Sequence, residues 1–227
     1  MTLHIAIDGP AGAGKSTVAQ RVAKRLSIPY IDTGAMYRCV TWSALVKNIS
    51  LQDEYLLAEL AQSLSIKFVP NDQGQLIYLD GQNVTSAIRT SEIGALVSTI
   101  AAYPLVRKTL VVRQRKMVDE SSGVVMDGRD IGTYVLPFAE VKVYLTASLE
   151  TRARRRYEEL ILKGYTGTYE DVLHVIEQRD ESDERRTASP LRKASDALLL
   201  DTTTLTIDEV VAIISSLCVT RQSRKRS

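Results

Sequence analysis

The chain has 227 residues, 44% hydrophobic and 25% charged, with a formal net charge of +2 and two cysteines. This fits one domain, or one domain carrying insertions, with a sizeable core, and it excludes a global field that would draw the protein onto nucleic acid or an anionic membrane. No apolar run approaches the ~18 residues of a membrane-spanning helix, the start lacks a basic-then-apolar secretion signal, and Cys39 and Cys218 form no metal or redox spacing, so a reduced, cytoplasmic chain is expected.

Leu3, Ile5, Ala6 and Ile7 form an apolar run that stops at Asp8-Gly9-Pro10. It reads as a short buried parallel strand entering a turn. Gly9 opens a G-x-x-x-x-G-K-S pattern: Pro10, Ala11, Gly12 and Ala13 fill the variable positions, and Gly14, Lys15 and Ser16 close it, followed by Thr17. Glycines let the backbone wrap a phosphate, and the amides then sit at the positive end of the next helix. Lys15 adds a mobile cation for the β- and γ-phosphates, and the Ser16 hydroxyl can ligate Mg²⁺. A ligand-free glycine turn is the bland alternative. Against it stand the strand before and the helix after, with Val18, Val22 and Leu26 on one face. ATP and Mg²⁺ are the expected cofactors.

Residues 29–32 read as a second strand, and a helix follows Thr33-Gly34 from Ala35 to about Lys47. Ser50 and Asp53 have capping-box spacing for a helix through about Ser63. Over 65–84 apolar residues alternate around a turn at 71–74, which predicts an inserted antiparallel meander. Helices are expected over 91–102 and, with Pro104 in its first turn, 104–120. Strands follow at 123–127 and 140–146. Ser148 caps a very basic helix to about Lys163, residues 164–167 break it, and Thr168 caps another to about Arg185. A fifth core strand is expected at 197–201, and Thr206 caps a last helix to about Leu217. Residues 220–227 read as a disordered basic tail, with a phosphate or RNA contact as the lesser reading. Strand/helix alternation predicts an α/β domain over 1–219: a five-stranded parallel sheet covered on both faces, with the phosphate loop on the edge where the strands end.

Two loops at those strand ends carry chemistry-bearing residues. One holds Asp32, Thr33, Tyr37 and Arg38; the other holds Asp127, Arg129 and Asp130. Asp127, after three apolar residues, fits a carboxylate near Mg²⁺, although an Asp capping a loop would look the same. Arg129 reads equally as a phosphate contact or a surface arginine. Arg152, Arg155 and Arg156 share a helix face, as do Arg179, Asp183 and Arg186. Solvated faces and intrahelical ion pairs are the ordinary explanations. The break at 164–167 between the two sets instead favours a helical lid over about 150–186 that closes on phosphates and expels water. So many cations for one crevice suit two anionic ligands end to end. A phosphate acceptor needs no general base, because its second pKa is near ~6. Catalysis reduces to positioning and charge neutralisation, which points to a nucleoside monophosphate kinase.

The residues GPAGAGKST at 9–17, DTGAMYR at 32–38, VVMDGRDIGT at 124–133, RDESDERR at 179–186, SPL at 189–191 and DALLLDTT at 196–203 together resemble the bacterial cytidylate kinases, from residue 3 to about 217 and including the insert. The resemblance implies transfer of the γ-phosphoryl group of ATP to CMP or dCMP, giving ADP and CDP or dCDP. It implies base recognition by Ser98, Arg107 and Asp130, with Thr33 and Tyr37 in the same substrate-binding set. A carboxylate suits the cytosine amino donor. It further implies a grip on the CMP phosphate by Arg38, Arg129 and Arg186, ribose contacts from Arg179 and Asp183, and Arg155 and Arg156 as lid residues facing the transferred group. Lys15, Arg129, Arg155, Arg156 and Arg186 would be catalytic, Ser16 and Asp127 would hold the metal, and 201–203 would lie near adenine. From the residues alone, Ser98 is a helix-face hydroxyl and Arg107 a surface arginine.

A kinase of a small hydroxyl acceptor is the alternative within enzymes, with Asp32 or Asp130 as base. A nucleotide-gated binding module is the alternative outside them. Small-molecule nucleotides are the expected partners, without nucleic acid or membrane, and a monomer is expected.

Overall fold

The structure, a computed structural model, describes residues 3–71, 74–162 and 164–224. In chain order the elements are β1 (His4–Asp8), α1 (Lys15–Leu26), β2 (Tyr30–Asp32), α2 (Thr33–Val46), α3 (Glu54–Ser63), β3 (Ile66–Asn71), β4 (Gly74–Leu79), β5 (Gln82–Asn83), α4 (Ser91–Ala102), α5 (Pro104–Asp119), β6 (Val124–Gly128), β7 (Val141–Thr146), α6 (Leu149–Ile161), α7 (Tyr169–Arg185), β8 (Leu198–Asp201) and α8 (Ile207–Arg224). A five-stranded sheet has the order β2-β6-β1-β7-β8, all pairs parallel. The β3, β4 and β5 strands form a separate antiparallel sheet.

Side-chain alternation along the central strands builds two layers of core. Ala6, Val124 and Met126 join a core with α2, α3, α4 and α5. Ile5, Ile7, Val125, Val143 and Leu145 point the other way, into a core with α1 and α8. Ile5 and Ile7 are 0% exposed, each worth about 1.5–3 kcal/mol of burial. Ile66, Ile77 and Leu79 of the inserted sheet belong to the same core as α2. The Gln75 amide of β4 donates to the Tyr30 carbonyl on β2 at 2.7 Å. As β2 ends the five-stranded sheet, the insert covers part of an otherwise open edge.

Most element ends fall where the caps predict. Ser148, Thr168 and Thr206 each accept from the backbone three residues on, and Thr168 forms a reciprocal box with Asp171. The expected box at Ser50 is corrected: Asp53 itself caps α3 by accepting from Leu56, because its carboxylate lies one residue before the first helical turn. Asp32 likewise caps α2, which begins at Thr33 rather than Ala35. Helix α8 runs on to Arg224, so the tail expected over 220–227 begins as helix; 225–227 lie outside the described residues, as do 72–73 of the 71–74 turn and Lys163. Among the described residues no single helix is long and apolar enough to cross a membrane, and α4 and α5 turn through 94° at Tyr103.

One feature had no sequence signal beyond a charge at the end of an apolar strand. Residues Ile131–Val135 form a π-helical turn, and the buried Asp8 carboxylate accepts from Ile131 at 2.8 Å and Gly132 at 2.7 Å. Burial pushes the Asp8 pKa up from 3.8 to about 6 against these two hydrogen bonds. The folded state therefore holds a proton at Asp8 that the unfolded chain releases between pH 3.8 and about 6. Ionised Asp8 costs stability at neutral pH, on the order of 3 kcal/mol, and the cost fades as pH falls through that window. Urea unfolding of the protein and of Asp8→Asn should show it: from neutral pH toward 4, the native chain gains stability relative to the variant, and parallel pH profiles would refute the linkage.

Candidate active site

Strand register sets carboxylates level along one edge of the sheet. Asp8 lies beside Gly128, and Asp127 beside both Ile7 and Asp32. The phosphate loop leaves β1 at this edge. Gly9 has φ +147°, and a Cβ there would fall 1.9 Å from the Leu145 carbonyl oxygen of β7, so no side chain fits. Gly14 leads into α1 with φ 82° and no side chain caps that helix. Its first amides are left for an anion. Lys15 is buried and donates to the Pro10 carbonyl at 2.6 Å. Burial, then the charge of Arg129, lowers its pKa, with Asp127 opposing.

Asp127 is held from three sides. The Ser16 hydroxyl donates to one carboxylate oxygen at 2.8 Å, the Tyr30 hydroxyl to the other at 2.7 Å, and the Thr33 hydroxyl to its backbone carbonyl at 2.7 Å. Burial, then the like charge of Asp32, raises its pKa. A buried carboxylate beside a hydroxyl is an oxygen donor set that suits Mg²⁺, which takes few protein ligands. No three His, Cys, Asp or Glu gather among the described residues, so further ligands for such an ion would be phosphate oxygens and water.

Across the crevice, Arg107 of α5 forms an ion pair with Asp130, donates to the Ala101 carbonyl at 2.9 Å, and stacks 5.4 Å from the Tyr37 ring centroid. Both charged residues are buried. Burial pushes the Tyr37 phenol up to about 12. Ser98 is half-buried on α4, one turn before Ala101. Arg186, at the end of α7, lies 3.8 Å from Asp130 and 3.5 Å from Asp183 and donates to the Ser189 carbonyl at 2.6 Å. Arg129 donates to Asp183 at 2.7 Å, and Arg38 to the Ile88 carbonyl at 3.2 Å.

The Arg179 Nε is buried without a hydrogen-bond partner, as are the Arg107 Nε and the Arg186 Nη2, but Arg107 and Arg186 each donate to a backbone carbonyl through another nitrogen. Burial is the largest influence lowering the Arg179 pKa, followed by the charges of Arg129 and Arg38, with Asp183 opposing and Arg156 adding to the repulsion. Arginine keeps its charge in proteins, so Arg129, Arg38 and Arg156 outnumber Asp183 around Arg179, an arrangement that suits an anionic ligand. Lys15 feels Arg129, Arg179 and Asp183 in turn, so the phosphate loop and the arginine cluster share one electrostatic site.

The structure corrects three expectations. The arginines of α6 do not act as one face. Arg152 is buried and paired with Asp180. Arg155 donates to the Thr202 hydroxyl at 3.1 Å and carbonyl at 2.6 Å, which turns it away from the cluster. Only Arg156 bears on Arg38 and Arg179, while pairing with Glu159 at 2.8 Å. Second, Ala11 is not free to bind phosphate: its N–H donates to Asp180 and its carbonyl accepts from Arg152, both at 2.9 Å. Third, Asp32 and Asp130 are unsuited as bases, since Asp32 caps α2 and sits 3.6 Å from Arg89, and Asp130 is paired with arginines. Sequence reasoning missed Asp8, Tyr30 and Asp180. Each acts through a partner more than 90 positions away, which no local pattern displays.

A family model described as "Cytidylate kinase" matches residues 5–220. The chain is 55% identical over 210 residues to a cytidylate kinase of Carboxydothermus hydrogenoformans, covering 92% of this chain and 94% of that one. It is 54% identical over 208 residues to a cytidylate kinase of Bacillus subtilis, covering 92% of each. Among solved structures, an uncharacterized protein from Eubacterium ventriosum shares the fold, with a TM-score of 0.51 at 13% identity over 96% of this chain and 99% of that one.

Mutual repulsion around Arg179 predicts a trade of stability for binding. Arg179→Met should melt at a higher temperature than the native protein without ligand. Inorganic phosphate should raise the native melting temperature, by up to about 2.7 kcal/mol of stabilisation at 100-fold excess over its Kd, and should leave the variant nearly unmoved. A variant that melts lower and still responds to phosphate would remove Arg179 from the anion site.

Proposed function

Because the chain belongs to the cytidylate kinase family, we propose that its arginine-lined crevice holds CMP or dCMP end to end with ATP. The enzyme transfers the γ-phosphoryl group of ATP to the monophosphate, giving ADP and CDP or dCDP. The observation that carries the crevice assignment is Arg179, buried with an unpartnered Nε among Arg129, Arg38 and Arg156, cations from three other segments.

In this reading the amides of 12–17 and Lys15 hold the ATP phosphates, and Gly9, Pro10 and Ala11 shape the loop around them. Arg38, Arg129 and Arg186 grip the acceptor phosphate, with Arg156 arriving from α6. The pairs that hold them now, Arg129 to Asp183 and Arg186 to Asp130 and Asp183, keep the guanidinium groups aimed before a ligand enters, which lowers the reorganisation required in the transition state. Asp130 accepts from the cytosine amino group, Arg107 addresses the ring nitrogen and carbonyl, and Ser98, Thr33 and Tyr37 border the base. Arg179 and Asp183 reach the ribose, and the Arg179 guanidinium also faces the acceptor phosphate. Arg155, holding Thr202, belongs to the adenine side, near 201–203. Ser16 and Asp127 would hold Mg²⁺, which neutralises charge between the β- and γ-phosphates when bound. The acceptor arrives largely dianionic, so no side chain need remove a proton. Residues 1–219 form one kinase domain, with 65–84 and about 150–186 as its insert and lid. The enzyme is read as a monomer. Cys39 and Cys218 are buried and free, in keeping with a reducing cytoplasm.

A coupled ADP-release assay over CMP, dCMP, UMP, AMP and hydroxyl acceptors tests the activity; turnover with CMP and dCMP is expected, and none with CMP would overturn the reading. Within it, Asp130→Asn should reduce kcat/KM for CMP about 10- to 100-fold and leave ATP binding intact; equal loss of both indicates a structural role. Asp183→Ala should hurt CMP more than dCMP, and an unchanged preference would remove Asp183 from the 2′-hydroxyl.

A further inference from the structure

The helices α6 and α7 are not a free flap. At their base they are moored to the phosphate loop, chiefly through Ala11. Its methyl group joins Ala153, Val172 and Ile176 in a small core separate from the two that sandwich the sheet. Its N–H goes to the Asp180 carboxylate of α7 and its carbonyl to the Arg152 guanidinium of α6, each at 2.9 Å. Arg152 pairs with Asp180 and spends its Nε on the Ala147 carbonyl at 3.0 Å. Both side chains are buried. Next in the loop, Gly12 has φ +74°, and a Cβ there would come within 3.0 Å of the Arg152 backbone carbonyl oxygen, so α6 touches the loop directly.

A loop that must present its amides inward needs its outward groups satisfied elsewhere. The Arg152–Asp180 pair satisfies both groups of Ala11 at once. An apolar pair would fill the space at less desolvation cost, and it could not hold that backbone. Asp180 also stands between Arg179 and Asp183 on α7. The same short stretch of helix therefore fastens the donor loop on one side and meets the acceptor cluster on the other, since Arg179, Asp183 and Arg129 all bear on Lys15.

We propose that Arg152 and Asp180 are positioning residues for phosphoryl transfer: by clamping the backbone of Ala11 they fix the ATP phosphates relative to the acceptor arginines that α7 carries. The pair touches neither substrate. It acts on the geometry between them, so its loss falls on kcat rather than on the affinity for CMP. The proposal rests on assigning residues 9–17 to ATP.

The test uses the full-length enzyme and three variants. Asp180→Asn keeps shape and one acceptor for the Ala11 N–H but removes the charge; Arg152→Met keeps the stem; Arg152→Lys keeps the charge without the fork. The measurements are kcat, the KM for ATP and for CMP, CMP affinity alone, and melting temperature. Asp180→Asn and Arg152→Met should lose about 10- to 100-fold in kcat, the scale of a small misplacement of reacting groups, with CMP affinity within about twofold of native and Arg152→Lys intermediate. In Asp180→Asn, amide exchange at Ala11 should quicken while Asp127, held from elsewhere, stays protected. Native kcat in Asp180→Asn overturns the proposal. So do losses of ATP and CMP affinity that move together with melting temperature, the mark of a purely structural pair. If Arg152→Met fails to fold, Arg152→Lys and Asp180→Asn decide. Native transfer beside an unaffected variant sinks the clamp alone, whereas no transfer in the native enzyme sinks the assignment of the loop.

Discussion

One edge of the central sheet gathers more positive charge than its own carboxylates neutralise, and much of the remaining architecture serves that imbalance. Lys15, Arg38, Arg129, Arg179 and Arg186 come from the phosphate loop, α2, the loop after β6 and α7. Left to themselves such groups would separate into water. They stay because each, except at Arg179, has a carboxylate or carbonyl holding part of its guanidinium or ammonium. Asp183 divides itself between Arg129 and Arg186, and Asp130 between Arg107 and Arg186. The carboxylates thus orient the cations without exhausting them. A nucleotide phosphate entering such a site meets charge already aimed and already stripped of water, where electrostatic attraction is strongest.

The two layers of core explain how this edge can be rigid. Parallel strands buried on both faces expose only their ends, so functional groups at those ends sit on the least deformable part of the molecule. Asp127 illustrates it: Ser16, Tyr30 and Thr33, from three different segments, fix its carboxylate and its carbonyl together. Tyr30 is itself braced by Gln75 of the inserted sheet, so the insert reaches the Asp127 carboxylate through one tyrosine. The Asp8 carboxylate does the corresponding service for the π turn that follows Asp130.

Helix α7 shows how much one helix can carry. Successive residues Arg179 and Asp180 face different neighbours, the cations Arg129 and Arg38 and the phosphate loop. The expectation of a mobile lid over about 150–186 treated these helices as a hinged unit. Their base is packed and hydrogen-bonded onto Ala11. The arginines of α6 divide accordingly: Arg152 inward to the anchor, Arg155 to Thr202, Arg156 toward the cluster.

The sequence by itself determined the strands, most caps, the phosphate loop and, through the resemblance carried by 127–133 and 179–186, the substrate class. Those are local signals: a period of two or 3.6, a cap three residues from its amide, a glycine where no Cβ fits. What only the tertiary structure decided is which charged residues are spent and which are left for a ligand. Arg152 and Arg155 share a helix face, yet one is buried in a clamp and the other bonds a distant loop. Asp8 and Asp180 look like ordinary acids until the backbone groups they hold, more than 120 positions away, are brought to them. Spacing along the chain reports the face a side chain occupies; the long-range hydrogen bond that fixes its role depends on how the elements pack, and periodicity carries no record of that.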